Sequence, residues 1–121
     1  MLTPIAYGLA IALDLLVLLI GGRFLIAPRA AAAGYGVPAK PGGDPAYLTI
    51  KGLRDGTYAL VGLVLLAFAG AHAWFMLAVA LVPLGDTLIV LRHGGTRATA
   101  VGIHLTTAVL VLLSAALLFA S

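Results

Sequence analysis

At 121 residues the chain has the length of one ordinary domain. Its 63% hydrophobic and 9% charged residues, with a mean hydropathy of +1.17, exclude a soluble one, in which about 25% of residues are charged. Cys and Glu are both absent, which excludes disulfides, thiol nucleophiles and cysteine metal sites; the net charge of +3 comes from dispersed Lys and Arg without interleaved aromatics, which argues against a nucleic-acid partner.

Four apolar stretches follow one another. The first opens at Thr3-Pro4, a helix start in which Thr caps free amides and Pro occupies a position that needs no donor. It runs to about Ile26, too long for the apolar core of a signal peptide and with no basic residue ahead of it, so it reads as a retained helix. Its one charge before Arg23 is Asp14, near the middle; Tyr7, Ile11, Asp14, Leu18 and Gly21 share a heptad-spaced face, which predicts that Asp14 points into a bundle.

Residues 27–46 shift in composition to Pro28, Pro38, Pro41, Pro45, Gly34, Gly36, Gly42 and Gly43, with Arg29, Lys40 and Asp44. This reads as the one real loop, with an interfacial turn at Ala30-Ala31-Ala32-Ala33 and the capacity to cover a cavity mouth.

The second stretch, 47–70, is the anomaly, because Lys51-Gly52-Leu53-Arg54-Asp55 stands at its start. As one helix it reaches roughly 36 Å, which crosses a bilayer only if the charged turns are included. Lys51, Arg54, Asp55, Tyr58 and Gly62 recur at helical spacing and are expected to face inward. Gly52 and Gly56 would let a neighbouring backbone approach.

A short link through Gly70, Ala71 and His72 makes the second and third helices antiparallel neighbours. The third covers about 73–92, with Trp74 at the height of an aromatic belt, Pro83 as a kink and Asp86 one turn beyond. His93-Gly94-Gly95-Thr96 forms the next connection, with Thr96 as cap. The fourth helix, 97–120, carries a semi-polar face of Arg97, Ala100, His104, Thr107, Val111 and Ser114. His72 and His93 fall in links.

The expected fold is therefore all-α: a single integral membrane domain built as an antiparallel bundle of four transmembrane helices. All seven Lys and Arg residues lie towards one side, which places both termini outside the cytoplasm and the charged loops within it. The inner (plasma) membrane of a bacterium is the expected location.

Each charge near a bilayer centre costs about 2.5 to 3.5 kcal/mol, so Asp14, Asp55 and Asp86 facing lipid would together cost on the order of 8 to 10 kcal/mol. They are expected instead to face one another, Arg54, Lys51 or water, in a polar pocket open to the cytoplasm. Two readings of that pocket stay open, a structural ion-pair network and a general acid/base or proton site. The three histidines lack the i, i+4 pairing of a metal site, and no phosphate-binding glycine loop or nucleophile elbow is present; neither metal nor cofactor is expected.

The segments Pro28-Arg29-Ala30-Ala31-Ala32-Ala33-Gly34-Tyr35-Gly36-Val37-Pro38, Lys51-Gly52-Leu53-Arg54-Asp55, and Val82-Pro83-Leu84-Gly85-Asp86 through Arg92-His93-Gly94 carry a resemblance. Together they resemble a bacterial and fungal family of small four-helix integral membrane proteins known only as a domain of unknown function. The resemblance covers nearly the whole chain; it implies the four-span fold and a shared polar set of Arg54, Asp55, Asp86 and His104, and no activity. A looser likeness to small multidrug transporters rests on four helices, similar length and one acidic residue midway along the first.

From these residues the expected function is binding of a lipophilic small molecule, with acid/base chemistry on it such as isomerisation, cyclisation or epoxide opening. Asp14, Asp55, Asp86 and His104 are the expected acid/base groups, and Lys51, Arg54 and Tyr58 the expected substrate contacts. The alternatives are a proton-coupled exporter acting as a homodimer with Asp14 as coupling site, and an accessory subunit of a larger membrane complex.

Overall fold

The computed structural model describes residues 2–38, 40, 43, 46–68 and 71–121, with Phe68 as backbone only. Its helices are α1 (Leu2–Ile26), α2 (Pro28–Tyr35), α3 (Ala46–Phe68), α4 (His72–Val79), α5 (Leu81–Arg92), α6 (Arg97–Thr99), a π-helical turn (Ala100–Leu105) and α7 (Thr106–Ala120), with no strand among the described residues. Pro41, Gly42, Asp44, Pro45 and Gly70, read above as loop and link residues, lie outside the described residues.

Among the described residues three segments are long and apolar enough to cross a membrane: Leu2–Ile26, His72–Arg92 and Arg97–Ala120. Large side chains such as Ile5, Leu19, Leu60 and Leu81 stand on the outside of the bundle. A surface that apolar has its favourable solvent in acyl chains, which makes this an integral membrane protein. α3, although 23 residues long, differs in holding Lys51, Arg54 and Asp55 in its first turns.

The tightest contact is between α1 and α3, which run antiparallel. A Cβ on Gly21 would stand 2.6 Å from the Gly56 nitrogen and 2.8 Å from the Gly52 oxygen, and one on Gly62 would meet the Asp14 carboxylate at 2.6 Å. Absence of side chains on Gly21, Gly52 and Gly62 thus lets two backbones touch where the polar groups lie; of the expected Gly52/Gly56 pair only Gly52 is needed for this, since a Cβ on Gly56 would meet nothing within 4 Å. This contact also corrects the expected helix faces. On α1 the buried stripe is Ala6, Ala10, Leu13, Asp14, Gly21 and Phe24, and Tyr7 and Ile11 are exposed. On α3 it is Gly52, Asp55, Ala59 and Gly62. Small residues, rather than the heptad positions, decide which side approaches.

A central cluster joins α1, α4 and α7 through Ala10, Leu13, Met76, Ala80, Val111 and Ala115. The α4–α5 segment is interrupted at Ala80, one turn before Pro83, because proline supplies no N–H to the carbonyl four residues back and crowds it.

The expectation of an irregular loop after Ile26 is overturned for Pro28–Tyr35, which form a two-turn helix. Pro28 starts it and Gly36, at φ 101°, ends it in the left-handed conformation, with the Gly36 and Val37 amides donating to Ala33 and Ala32 carbonyls. Ala31 and Ala32 bury against Phe24. This fixes α2 across the α1–α3 end and delivers Tyr35 inward.

Candidate functional site

Two polar clusters lie inside the bundle. The first is organised by Tyr35. Its hydroxyl donates to Asp86 Oδ2, and its carbonyl accepts from His104 Nε2 at 2.6 Å. Because a carbonyl only accepts, Nε2 carries the proton, and in a neutral ring Nδ1 is left as acceptor. The Tyr35 and His104 rings lie 4.2 Å apart, and Phe24 meets Tyr35 edge-on at 5.6 Å. Burial, together with the charges of Asp86 and Asp55, pushes the Tyr35 hydroxyl well above the ordinary tyrosine range, so it stays a donor.

His104 reaches this position on the π-helical turn. Such a turn widens the backbone spiral and shifts the faces that follow it. Thr106 and Thr107 bridge it, donating to Val101 and Ile103 carbonyls. Of the semi-polar face read along this helix, Ala100, His104, Val111 and Ser114 are buried and Arg97 is exposed. Thr96 caps the helix, as expected, by accepting from the Thr99 amide at 3.1 Å.

Lys51 extends this cluster from α3. Its Nζ lies 2.7 Å from Asp55 Oδ2, and 4.2 Å and 4.9 Å from the ring centroids of Tyr35 and Phe24. An ammonium held by one carboxylate and two aromatic faces has little freedom to reach a headgroup. Arg54, expected to meet the carboxylates, is exposed and lines neither cavity. Helical geometry puts it about 100° round from Asp55 once Gly52 and Ala59 face α1. Tyr58 is 44% exposed and lines a smaller cavity rather than the one that holds Tyr35, Asp86 and His104.

Beneath α2 is a cavity of about 270 Å³, lined by apolar side chains such as Leu16, Val17, Ile20 and Val82 and by the polar Arg23, Tyr35, Asp86 and His104. A second, of about 70 Å³, lies between Asp14 and Asp55. The two share Val17, Val82, Pro83 and Thr107 as walls. The three aspartates expected to converge thus divide, with Asp14 and Asp55 on one cavity and Asp86 on the next.

The second cluster is the pair Asp14 and His72, buried to 4% and 3% exposure. Their Oδ2 and Nε2 atoms are 3.4 Å apart; that oxygen and both ring nitrogens lack a partner at hydrogen-bonding geometry among the described residues, and the Gly62 backbone is the other polar group that acts on the ring. His72 is the first residue of α4, not a solvated link residue, and its ring stacks on Phe75 at 5.6 Å.

Tyr35 and His72 are the residues that sequence reasoning missed. A signal existed for each: Pro28 and Gly36 bracket a two-turn helix that ends on Tyr35, and His72 is the one titratable side chain near the otherwise uncharged helix link. No group of three or more His, Asp or Glu residues suited to a metal occurs among the described residues.

The fold and this interior define a helical integral membrane protein with a buried Asp/His pair. More particularly, a family model described as "Domain of unknown function (DUF4267)" matches residues 15–118, and the chain belongs to that family. No curated protein and no solved structure matches it.

Proposed function

We propose that the chain crosses the membrane four times and that the cavity beneath α2 binds a small lipophilic molecule, polar end towards Tyr35, Asp86 and His104. α3 serves as the fourth span: its 23 residues reach about 35 Å, and Lys51 and Asp55 of its charged turn are folded against one another and the rings of Phe24 and Tyr35, while Arg54 stays exposed. All seven Lys and Arg then fall at the α2 end, which becomes the cytoplasmic side, with both termini opposite.

The observation that carries the binding reading is the cavity itself, whose largely apolar walls also bear Tyr35, Asp86 and His104, with Arg23 and Thr107 on the same lining. Its volume of about 270 Å³ is at the lower edge of the roughly 300–1,000 Å³ usual for ligand sites, so the ligand is small. Asp86 is the base of this arrangement and His104, through Nδ1, an acceptor or proton carrier, while Lys51 contributes positive potential behind Tyr35. That set suits proton transfer on a bound lipophile, the step common to isomerisation, cyclisation and epoxide opening.

The test is mass spectrometry of the full chain extracted from its own membranes. A small molecule is expected to accompany the wild type in near-stoichiometric amount and to be lost from Asp86→Asn and from Ala31→Trp, which fills the cavity. Equal recovery from all three proteins, or no molecule with any, overturns the reading.

A further inference from the structure

The Asp14–His72 pair is separate from the α2 cavity and takes no part in the binding proposed there. Asp14 comes from the middle of α1 and is faced by Gly62 of α3 and by His72 and Phe75 of α4. Across the small cavity stand Asp55 and Tyr58 of α3 and Thr107 of α7, with no Lys or Arg on its wall. Two groups that can each hold a proton thus sit 3.4 Å apart with unspent hydrogen-bonding atoms. A carboxylate and a neutral imidazole buried together without a proton would leave a bare charge in an apolar interior. One proton placed on either group gives an ion pair or a neutral pair, and both are far cheaper.

The small cavity adds a route. Its volume of about 70 Å³ exceeds the ~10–15 Å³ that one water requires, and although most of its wall is apolar, Asp14, Asp55, Tyr58 and Thr107 stand on it as partners for such a water.

We infer that Asp14 and His72 form a proton-holding site that shares a single proton, and that water between Asp14 and Asp55 carries that proton towards the Lys51–Asp55 pair. The balance is simple. The pair gives up one proton to water, Asp55 receives one from the same water chain and releases its contact with Lys51, and the pair is refilled from the solvent side of the adjoining exposed Ala71. No redox partner or cofactor is needed. The site holds its proton whatever occupies the cavity beneath α2, so it stands or falls separately from the proposed ligand.

The chain favours a direct test, because it has only four acidic residues and three histidines. With ¹³C-labelled aspartate and ¹⁵N-labelled histidine, solid-state NMR of the full chain in lipid bilayers resolves each titration. One aspartate carboxyl and one histidine ring are expected to titrate in wild type with a single common midpoint. That shared step is expected to disappear in both Asp14→Asn and His72→Gln, and the paired carboxyl is expected to receive magnetisation from water. Independent midpoints for every aspartate and histidine in wild type overturn the shared proton, and a paired carboxyl with no water transfer overturns the route. The wild-type measurement decides both even where a variant does not fold.

Discussion

The Tyr35 cluster and the Asp14–His72 pair use the same kinds of residue, and they differ in how completely those residues are satisfied. Around Tyr35, the hydroxyl, the backbone carbonyl, Asp86, His104, Lys51 and Asp55 each have a partner within hydrogen-bonding reach. At Asp14 and His72 the polar approaches are the 3.4 Å contact and the Gly62 backbone beside the ring, with three atoms left short of hydrogen-bonding geometry among the described residues. A satisfied network fixes helix register and resists change; an unsatisfied pair, buried more deeply than most of the Tyr35 cluster, keeps capacity for a proton or water. The membrane sharpens this contrast, since lipid offers neither cluster an alternative partner.

The harshest way to break the comparison is Gly21→Leu, because both clusters hang on the same α1–α3 contact. The new side chain would meet backbone atoms of Gly52 and Gly56, which cannot rotate aside. Separating α1 from α3 moves Asp14 off Gly62 and Phe24 off Lys51 together. Overpacking of this kind costs 1 to 3 kcal/mol in soluble cores, and backbone on both sides places this case at about 3 kcal/mol or more. The expected outcome is loss of folded, monodisperse protein, read by circular dichroism and unfolding in mixed detergent; a wild-type midpoint contradicts the packing described.

Tyr35→Phe strikes one cluster and spares the other. It strips Asp86 of its donor, with an expected cost of about 1 to 3 kcal/mol near neutral pH. It also removes a distinctive alkaline behaviour. The folded Tyr35 hydroxyl titrates above its unfolded value of about 10, so above that pH the unfolded chain holds fewer protons than the folded one. Stability then falls as pH rises, by up to ~1.4 kcal/mol per pH unit, and is fully present below the unfolded value. Unfolding midpoints of wild type and Tyr35→Phe between neutral and alkaline pH measure the difference: the wild type is expected to lose more, and the Asp14–His72 titration to stay in place in the variant. Parallel curves would show that Tyr35 is not the buried donor.

Much of this was legible in the residues. Charges that apolar helices must hide announced a polar interior, and Gly52 announced the close contact beside it, although Gly56, read with it, has open space where a side chain would stand. What could not be read was which side each helix turns. The heptad through Tyr7 and Ile11 and the helical spacing of Lys51, Arg54 and Tyr58 are equally good periodicities, but neither registers that Gly21 and the alanines allow a nearer approach. The partners were hidden for a related reason. Lys51 and Asp55 are local, four residues apart, whereas Tyr35 with Asp86 and His72 with Asp14 are joined only by tertiary structure. His104 also depends on a π-helical turn that leaves no mark in composition.

The smallest expected effect carries the opposite sign and separates an unsatisfied polar group from a functional one. Ser114 is fully buried on α7, and its hydroxyl has no hydrogen bond among the described residues. Unlike Asp14 or His72 it cannot change charge, and it stands on neither cavity wall, so burial without a partner is simply a cost there. Ser114→Ala removes that hydroxyl with little change in volume and is expected to leave stability unchanged or raise it by up to about 1 kcal/mol. Unfolding in mixed detergent measures it, alongside binding in the α2 cavity and the Asp14–His72 titration, both of which should stay at wild-type values. If Ser114→Ala instead disturbs either site, orphaned polarity is not the property that distinguishes the Asp14–His72 pair, and the contrast between the two clusters must rest on charge alone.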